Sequence, residues 1–418
     1  MNDEKTALVL AGGGLTGAVY EIGALRAIDD MLVDRTVNDF DIYVGTSAGA
    51  FVCSLLANGI GPVEMLQVID GSHAEMQPLQ RSHIFGINQR DWLHWISAVP
   101  GKVLSGWAEY LTHAGDMTLF DLLWTLSEAL PAGLYDNLAL ERFVRKVLKG
   151  RQGASNEFDL LQRELYIIAT ELGSGERVVF GKEDGEDISI SLAVAASSAL
   201  PLVYKPLRIG EKEYVDGGLR GNASLDMAIE KGATLVVCIN PMVPLNHAAL
   251  ARKNHKESHY LSEKGIRLVA DQTLRILGYS GLQYHVKQLR RRHPEVDIVL
   301  IEPQADASDM FYYNIMRYSS RLKVARHGFE SVTLDLAADY SKFKEILSRH
   351  KIPITRRLVI EELSKISQSN YDPEVVRHVL EARSPGFGRE QMDSPFCRLN
   401  RTLADLEMTL DQMEHFSK

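Results

Sequence analysis

The chain has 418 residues, of which 45% are hydrophobic and 24% are charged, and its formal net charge is −9. This is the composition of a globular protein with room for two or three domains or one large one. The net acidity argues against nucleic acid as the main partner, and no stretch approaches the roughly 18 consecutive apolar residues that a membrane-spanning helix needs.

The first predicted strand, Thr6–Leu10, leads into a glycine-rich turn and then into a predicted helix, Ala18–Met31. Within that turn, Gly12, Gly14 and Gly17 have the spacing G-x-G-x-x-G. The pattern fits a phosphate cradle for a dinucleotide, an oxyanion hole or a simple tight turn. The residues that follow along the chain must decide between these three readings.

A second unit of the same kind follows, in which the predicted strand Phe40–Val44 leads into GTSAG and a predicted helix, Ala50–Asn58. A dinucleotide site would need an acidic residue at the end of this strand to hold a ribose. GTSAG stands there instead, which makes nucleotide binding the weakest interpretation. The repeated order of strand, glycine turn and helix predicts an α/β fold, with a mostly parallel central sheet and helices on both faces.

Later strands are predicted from short apolar runs at Leu165–Thr170, Arg177–Phe180, Glu213–Val215, Leu235–Asn240 and Asp297–Glu302. Between the early and late strands lies an insert, roughly residues 61–160, which we expect to be helical. It holds all four tryptophans, Trp92, Trp95, Trp107 and Trp124. These amphipathic rings either pack the core of the insert or form a lid that faces a membrane.

We expect two parts of the chain, a domain over residues 1–330 and a C-terminal helical region over residues 331–418. Within the second part, Asp372 and Pro373 are typical of a helix start. Apolar residues near the end recur at spacings of three and four: Phe396, Leu399, Leu403, Leu406, Leu410 and Met413. This seam either docks on the protein's own domain or forms a homodimer.

The three cysteines, Cys53, Cys238 and Cys397, lie far apart and form no C-x-x-C pair. The sequence therefore indicates neither a disulfide framework nor a zinc site, and we expect a reducing compartment. The N-terminal residues lack the basic region and the long apolar stretch of a secretory signal. A cytoplasmic protein is the expectation.

GTSAG, residues 45–49, fits G-x-S-x-G, a turn that presents a nucleophilic serine at a sharp corner between strand and helix. Ser47 would stand at that corner, with Gly45 and Gly49 small because neighbouring backbone passes close by. The start of the following helix favours developing negative charge. The backbone N–H groups of Gly13 and Gly14 are candidate oxyanion donors. On its own, the pattern also fits a structural turn.

A serine nucleophile needs a base. None of the thirteen histidines stands in a recognisable motif, although a histidine such as His327 could complete a Ser-His-Asp arrangement. Asp216 directly follows the predicted strand Glu213–Val215, and Gly217 and Gly218 come directly after it. Glycines there let a substrate or another backbone reach the carboxylate. The alternative is an ordinary turn.

Taken together and in this order, GGGLTG, GTSAG and DGG resemble the motifs of the patatin-like phospholipase family. The resemblance extends to the segments IIATELGSGERVVF, AVAASSALPLVYKPL and GATLVVCINP, and covers roughly residues 5–245. It implies a three-layer α/β sandwich that hydrolyses acyl esters of phospholipids or other lipids through a Ser–Asp dyad. The chemistry needs no cofactor and no metal.

The resemblance implies a role for each motif residue. Ser47 would be the nucleophile and Asp216 the residue that activates it. Gly12, Gly13 and Gly14 would form the oxyanion hole. The glycines implied to support these motifs are Gly17, Gly45, Gly49, Gly217 and Gly218.

One position departs from the family pattern, because Thr16 stands where a basic residue is common. This departure makes a neutral ester more plausible as a substrate. The basic run Lys287–Arg292 either meets an anionic membrane surface in peripheral contact or is a solvated helix end. The aromatic cluster Asp309–Tyr318 either lines an acyl groove or belongs to the core. An acyltransferase with the same dyad and a non-catalytic lipid-binding protein remain alternatives.

Overall fold

The computed structural model describes residues 4–73, 76–86, 97, 101, 132–182, 188–247, 260–303 and 318–382. The four tryptophans, the predicted seam beyond residue 396 and all but the last residue of the aromatic cluster at 309–318 lie outside the described residues.

The strands of the described residues are β1 Lys5–Leu10, β2 Ile42–Thr46, β3 Gly133–Tyr135, β4 Glu164–Glu171, β5 Arg177–Phe180, β6 Leu202–Tyr204, β7 Leu207–Ile209, β8 Lys212–Asp216, β9 Ala233–Ile239 and β10 Asp297–Ile301. The α-helices in the same ranges are α1 Gly14–Met31, α2 Ala48–Ala57, α3 Pro62–Asp70, α4 Arg81–Ile84, α5 Leu138–Gly150, α6 Ile190–Ser197, α7 Leu225–Glu230, α8 Ile266–Arg292, α9 Tyr318–Ala338, α10 Tyr340–Arg349, α11 Arg357–Gln368 and α12 Pro373–Glu381.

The main sheet has eight strands, and β10, β9, β1, β2 and β4 lie side by side in that order, all parallel. Both β5 and β8 pair antiparallel with β4, and β7 pairs antiparallel with β8. The predicted mostly parallel sheet is confirmed. Three short strands, β3, β6 and β7, were not predicted.

Alternate residues of the central strands enter two separate cores. Leu8 and Leu10 of β1 pack into one core, and Ala7 and Val9 pack into the other. Helices α1 and α2 contribute to the first core, while α7 and α8 contribute to the second. A sheet that is covered on both faces needs apolar residues at nearly every position of its strands. The predicted three-layer arrangement, with helices on both faces, is confirmed.

The pairing of β4 explains how two distant turns meet. Thr46, the last residue of β2, pairs with Ile168 of β4, and Asp216, the last residue of β8, pairs with Ala169. Strand β5 shares rungs of β4 with both β2 and β8, so β2 and β8 must lie on the same edge of β4. The two strands therefore point at each other, end to end, on neighbouring rungs.

The helices after residue 318 pack directly on α1. A Cβ atom at Gly23 of α1 would overlap the carbonyl oxygen of Ala325 in α9, and one at Gly328 of α9 would overlap the carbonyl oxygen of Tyr20 in α1. Each glycine thus lets the other helix approach to backbone contact. The domain boundary expected at residue 330 lies inside α9, and the division into two domains stays a prediction.

A buried arginine fastens the end of α12 to α1. Arg26 is fully buried, and its guanidinium donates hydrogen bonds of 3.2 Å to the carbonyl oxygens of Val379, Leu380 and Ala382. It also pairs with Asp30 one helical turn along α1. A cation at the C-terminal end of a helix satisfies carbonyl groups that have no partner within the helix.

We expect Gly23→Ala to lower the free energy of unfolding by about 1–3 kcal/mol, because the added methyl group forces α1 and α9 apart. Urea denaturation followed by circular dichroism measures the change. Gly150→Ala is the matched control, since no atom lies within 4 Å of a Cβ placed there. Equal stability of the two variants would contradict the close helix contact.

Candidate active site

Ser47 lies at the sharp corner between β2 and α2, as predicted. Its φ of 53° and ψ of −115° are unusual for a residue with a side chain, and such a backbone costs about 1–3 kcal/mol. A Cβ atom at Gly45 would lie 2.5 Å from the Cα of Ala50, and one at Gly49 would overlap the carbonyl group of Leu10. Glycine is needed at both positions because backbone passes on either side of the serine.

The Ser47 hydroxyl donates a hydrogen bond of 2.5 Å to Oδ2 of Asp216. Both residues are buried, with 7% and 5% of their surface exposed. The other carboxylate oxygen of Asp216 accepts a hydrogen bond of 2.8 Å from the N–H of Gly218. Burial raises the pKa of Asp216 from its ordinary value of 3.8 to about 6, although the hydrogen bonds from Ser47 and Gly218 favour the ionised form.

Two serines after β5 hold the corner in place. The Ser197 hydroxyl accepts a hydrogen bond of 2.8 Å from the N–H of Ser47 and donates one of 2.5 Å to the carbonyl oxygen of Ile168. The Ser198 hydroxyl donates to the carbonyl oxygen of Ser47 at 3.2 Å. The strained corner is therefore tied to β4 and α6 through its own backbone groups. Both serines lie in the family-like segment AVAASSALPLVYKPL, but neither was assigned a role from the sequence.

The triglycine turn lies beside the serine, at the start of α1. A Cβ atom at Gly12 would lie 3.4 Å from the Cβ of Ser47. Gly12 was expected to contribute to the oxyanion hole, but its N–H donates to the carbonyl oxygen of Asn222 at 3.1 Å and is therefore occupied. Among the described residues, the N–H groups of Gly13, Gly14 and Ala48 have no acceptor, because each stands at the start of a helix.

The serine, the aspartate and the triglycine turn all line one cavity of about 650 Å³. This volume falls in the range typical of sites for small organic ligands. Apolar side chains from several elements form much of the wall, including Phe51, Ile84, Leu140, Leu200 and Leu274. At the rim, Leu219 and Leu277 remain 52% and 63% exposed. An apolar chain would fit such a cavity.

A group of charged residues also lines the cavity and was not predicted. Arg177 donates to Oδ2 of Asp226 at 2.6 Å, and Nε2 of His285 lies 3.4 Å from Oδ1 of the same carboxylate. Burial would raise the pKa of Asp226, but His285 and Arg177 together hold it well below its usual range. These three groups are paired with one another. They stand on β5, α7 and α8, so no local sequence pattern joins them.

The Ser-His-Asp alternative gains no support from the histidine singled out for it. His327 stands on α9, where its ring lies 6.1 Å from that of Tyr20, centroid to centroid. Among the described histidines, His285 lines the cavity, and its carboxylate partner is Asp226. The Ser47 hydroxyl itself is hydrogen-bonded to Asp216 with no imidazole between them.

The described residues contain no group of three or more His, Cys, Asp or Glu side chains that could hold a metal ion. Within the same ranges, no helix has the length and apolar character needed to cross a membrane.

Comparison with solved structures finds only distant likeness. VipD from Legionella pneumophila is 14% identical, with a TM-score of 0.35 over 80% of this chain and 67% of that one. ExoU from Pseudomonas aeruginosa, in its complex with SpcU, is 15% identical, with a TM-score of 0.24 over 91% of this chain and 69% of that one. Superpositions this weak support no functional inference.

Sequence comparison is more informative. "Probable lipid hydrolase 463L" of Invertebrate iridescent virus 6 is 24% identical over 223 residues, 53% of this chain and 63% of that protein. "Uncharacterized protein YqhO" of Bacillus subtilis (strain 168) is 23% identical over 224 residues, 51% of this chain and 63% of that one. The matches thus span less than two thirds of either relative. Residues 8–229, more than half of the chain, match the family model described as patatin-like phospholipase, and the protein therefore belongs to the patatin-like phospholipase family.

Proposed function

We propose that this protein is a serine hydrolase of lipid acyl esters, with Ser47 as the nucleophile and Asp216 as the general base. The observation that carries the proposal is the buried hydrogen bond of 2.5 Å between the two side chains. Its geometry suits direct proton transfer from the hydroxyl to the carboxylate. Membership of the family and the apolar cavity support a lipid ester as the substrate class.

In the first step, Oγ of Ser47 attacks the ester carbonyl carbon and its proton passes to Oδ2 of Asp216. The carbonyl oxygen becomes an oxyanion, for which the N–H groups of Gly13, Gly14 and Ala48 are the available donors. These donors stand at the starts of α1 and α2, where the helix dipoles also favour negative charge. In comparable sites, removing one donor lowers turnover by about 10²–10³.

When the tetrahedral intermediate collapses, the bond from the carbonyl carbon to the alcohol oxygen breaks. The leaving alcohol takes the proton from Asp216, and the acyl group stays on Ser47 as an ester. Water then attacks this acyl-enzyme while Asp216 takes one of its protons. The second collapse returns that proton to Ser47 and releases the fatty acid, so the enzyme ends as it began.

The strained corner contributes to this chemistry by fixing the nucleophile. Because Ser197 and Ser198 hold its backbone, Ser47 keeps a positive φ that directs its hydroxyl at Asp216. Holding the reacting groups in place beforehand lowers the entropic cost of reaching the transition state.

The lipid would enter past the exposed apolar side chains at the rim. Helix α8 carries Leu277 there, and also Leu274, which lines the cavity and is 44% exposed. Exposed apolar groups beside an apolar cavity favour contact with a lipid surface. We therefore also propose that the protein is cytoplasmic and makes peripheral contact with a membrane.

Both Ser47→Ala and Asp216→Asn should lower the hydrolysis of p-nitrophenyl butyrate at least 10³-fold, because one removes the nucleophile and the other removes the base. A fluorophosphonate probe should label the wild type and fail to label Ser47→Ala. Ser174→Ala and Asp159→Asn, at exposed positions, are the matched controls and should keep full activity. Activity that survived either active-site substitution would remove the mechanism.

Free fatty acid as the product, with added glycerol present, separates hydrolysis from acyl transfer.

The pH dependence follows from the raised pKa of Asp216. The base acts only when ionised, so kcat/KM should rise about tenfold per pH unit up to about pH 6 and stay level above it. Initial rates with an uncharged ester between pH 4 and 9 measure the profile. A profile that stays flat down to pH 4 would show that the base does not have this raised pKa.

The same pKa has an opposite consequence for stability. The folded chain binds a proton at Asp216 more tightly than the unfolded chain does, so the stability from this group is present below pH about 4 and is lost as the pH rises through about 6. Asp216→Asn should therefore be more stable than the wild type at pH 8, by at most about 3 kcal/mol. At pH 4 the two should unfold alike. Thermal unfolding at both pH values tests this, and a lower Tm for the variant at pH 8 would contradict it.

A further inference from the structure

A chain of hydrogen-bonded side chains runs from the end of β10 to the triglycine turn. The carboxylate of Glu302 accepts from Nε2 of Gln283 at 2.9 Å and from Nδ2 of Asn240 at 2.7 Å. Oδ1 of Asn240 in turn accepts from Nδ2 of Asn222 at 2.8 Å. Asn240 is fully buried and Asn222 is 6% exposed, so water does not compete for the bond between them.

The carboxylate fixes the direction of every bond in the chain. An ionised carboxylate only accepts hydrogen bonds, whereas an amide has one end that donates and one that accepts. Facing Glu302, Asn240 must turn its NH₂ group toward the carboxylate and its oxygen away. That oxygen can then accept from Asn222, and it also accepts from the N–H of Met242 at 3.0 Å. Glu302 and the N–H of Met242 together therefore set the orientation of Asn240, and through it that of Asn222.

Asn222 is the residue that holds the triglycine turn. Its carbonyl oxygen accepts the N–H of Gly12 at 3.1 Å. Its Oδ1 would lie 2.9 Å from a Cβ at Gly12 and 3.8 Å from one at Gly218. Asn222 thus contacts the turn that carries the oxyanion donors and also the turn that carries Asp216. A displaced Asn222 would shift the N–H groups of Gly13 and Gly14.

We propose that Glu302 is a positioning residue, which acts through Asn240 and Asn222 to hold the oxyanion donors in place. The proposal rests on the proposed function, since it concerns the same site. It adds three residues that no catalytic motif contains and that lie directly after β10, directly after β9 and in the loop after β8. These residues touch no reacting atom, so their effect is on the turnover step rather than on substrate affinity.

The single variant Glu302→Gln replaces one accepting oxygen by a donating NH₂ group and keeps the shape of the side chain. The new glutamine has one accepting oxygen and can turn either end of its amide toward Asn240, so the direction of the chain is no longer fixed. We expect kcat to fall about 10–100-fold, less than the loss of a whole donor, with KM changed less than about threefold and Tm nearly unchanged. The rate of fluorophosphonate labelling should fall with kcat, because the phosphoryl oxygen uses the same donors. Glu295→Gln, at an exposed position nearby in the chain, is the matched control.

The double variant Asn240→Asp with Glu302→Gln tests the direction of the bonds directly. The new aspartate accepts from the new glutamine on one oxygen and from Asn222 and Met242 on the other. The new glutamine still accepts from Gln283, so every link is restored with the charge moved by one position. We expect kcat within about threefold of the wild type, whereas Asn240→Asp alone, with two carboxylates facing each other, should lose activity.

Three results would overturn the inference: a kcat for Glu302→Gln equal to that of the wild type, a change confined to KM, or a folded double variant as inactive as the single variants. If a single variant does not fold, the double variant decides alone. A double variant that folds and is active supports the inference, and one that folds and is inactive contradicts it. Failure of the proposed function looks different, since the wild type itself would then neither hydrolyse the ester nor react with the fluorophosphonate.

Discussion

The hydrogen bond between Ser47 and Asp216 joins two residues that are 169 positions apart in the chain, and most of the architecture can be read as what that bond requires. Neighbouring rungs of β4 bring the two strand ends together, and both residues are largely buried at the wall of the cavity. The same burial raises the pKa of the carboxylate. A group that is costly to ionise in the folded chain is, for that reason, a stronger base.

The shape of the site is set mainly by backbone. Glycines at positions 45 and 49 let the serine corner pass between other segments, and the hydroxyl groups of Ser197 and Ser198 bind the corner through its amide and carbonyl groups. The free N–H groups belong to the first residues of two helices. In the proposed mechanism, side chains supply the nucleophile and the base, while main-chain groups are available for the developing charge.

The sequence predicted the five parallel strands, the two glycine turns, and Ser47 and Asp216, which line one cavity. These features depend on local patterns: apolar runs, glycine spacing and position after a strand. It did not predict that β8 runs antiparallel and end to end with β2, since that pairing depends on the register of β4. Gly12 was expected to be a free donor, but its N–H is taken by a carbonyl group 210 positions along the chain. The sequence also did not predict the pairing of Arg177 with Asp226 or the bond between Asn240 and Glu302. Single polar residues that are far apart in the chain form no local pattern from which their contact could be predicted.

The contacts of α1 also bear on how the protein can be divided. The segment that identifies the family, residues 8–229, stops before β9 and β10 and before every helix that packs against Gly23 and Arg26. In a fragment that ends at residue 229, β1 would be an edge strand, and edge strands can pair with other chains. The guanidinium of Arg26 would also lose the carbonyl groups that it binds in the full chain. The segment that matches the family model is therefore shorter than the part of this chain that packs into a stable unit. A stable fragment would have to extend at least to Ala382.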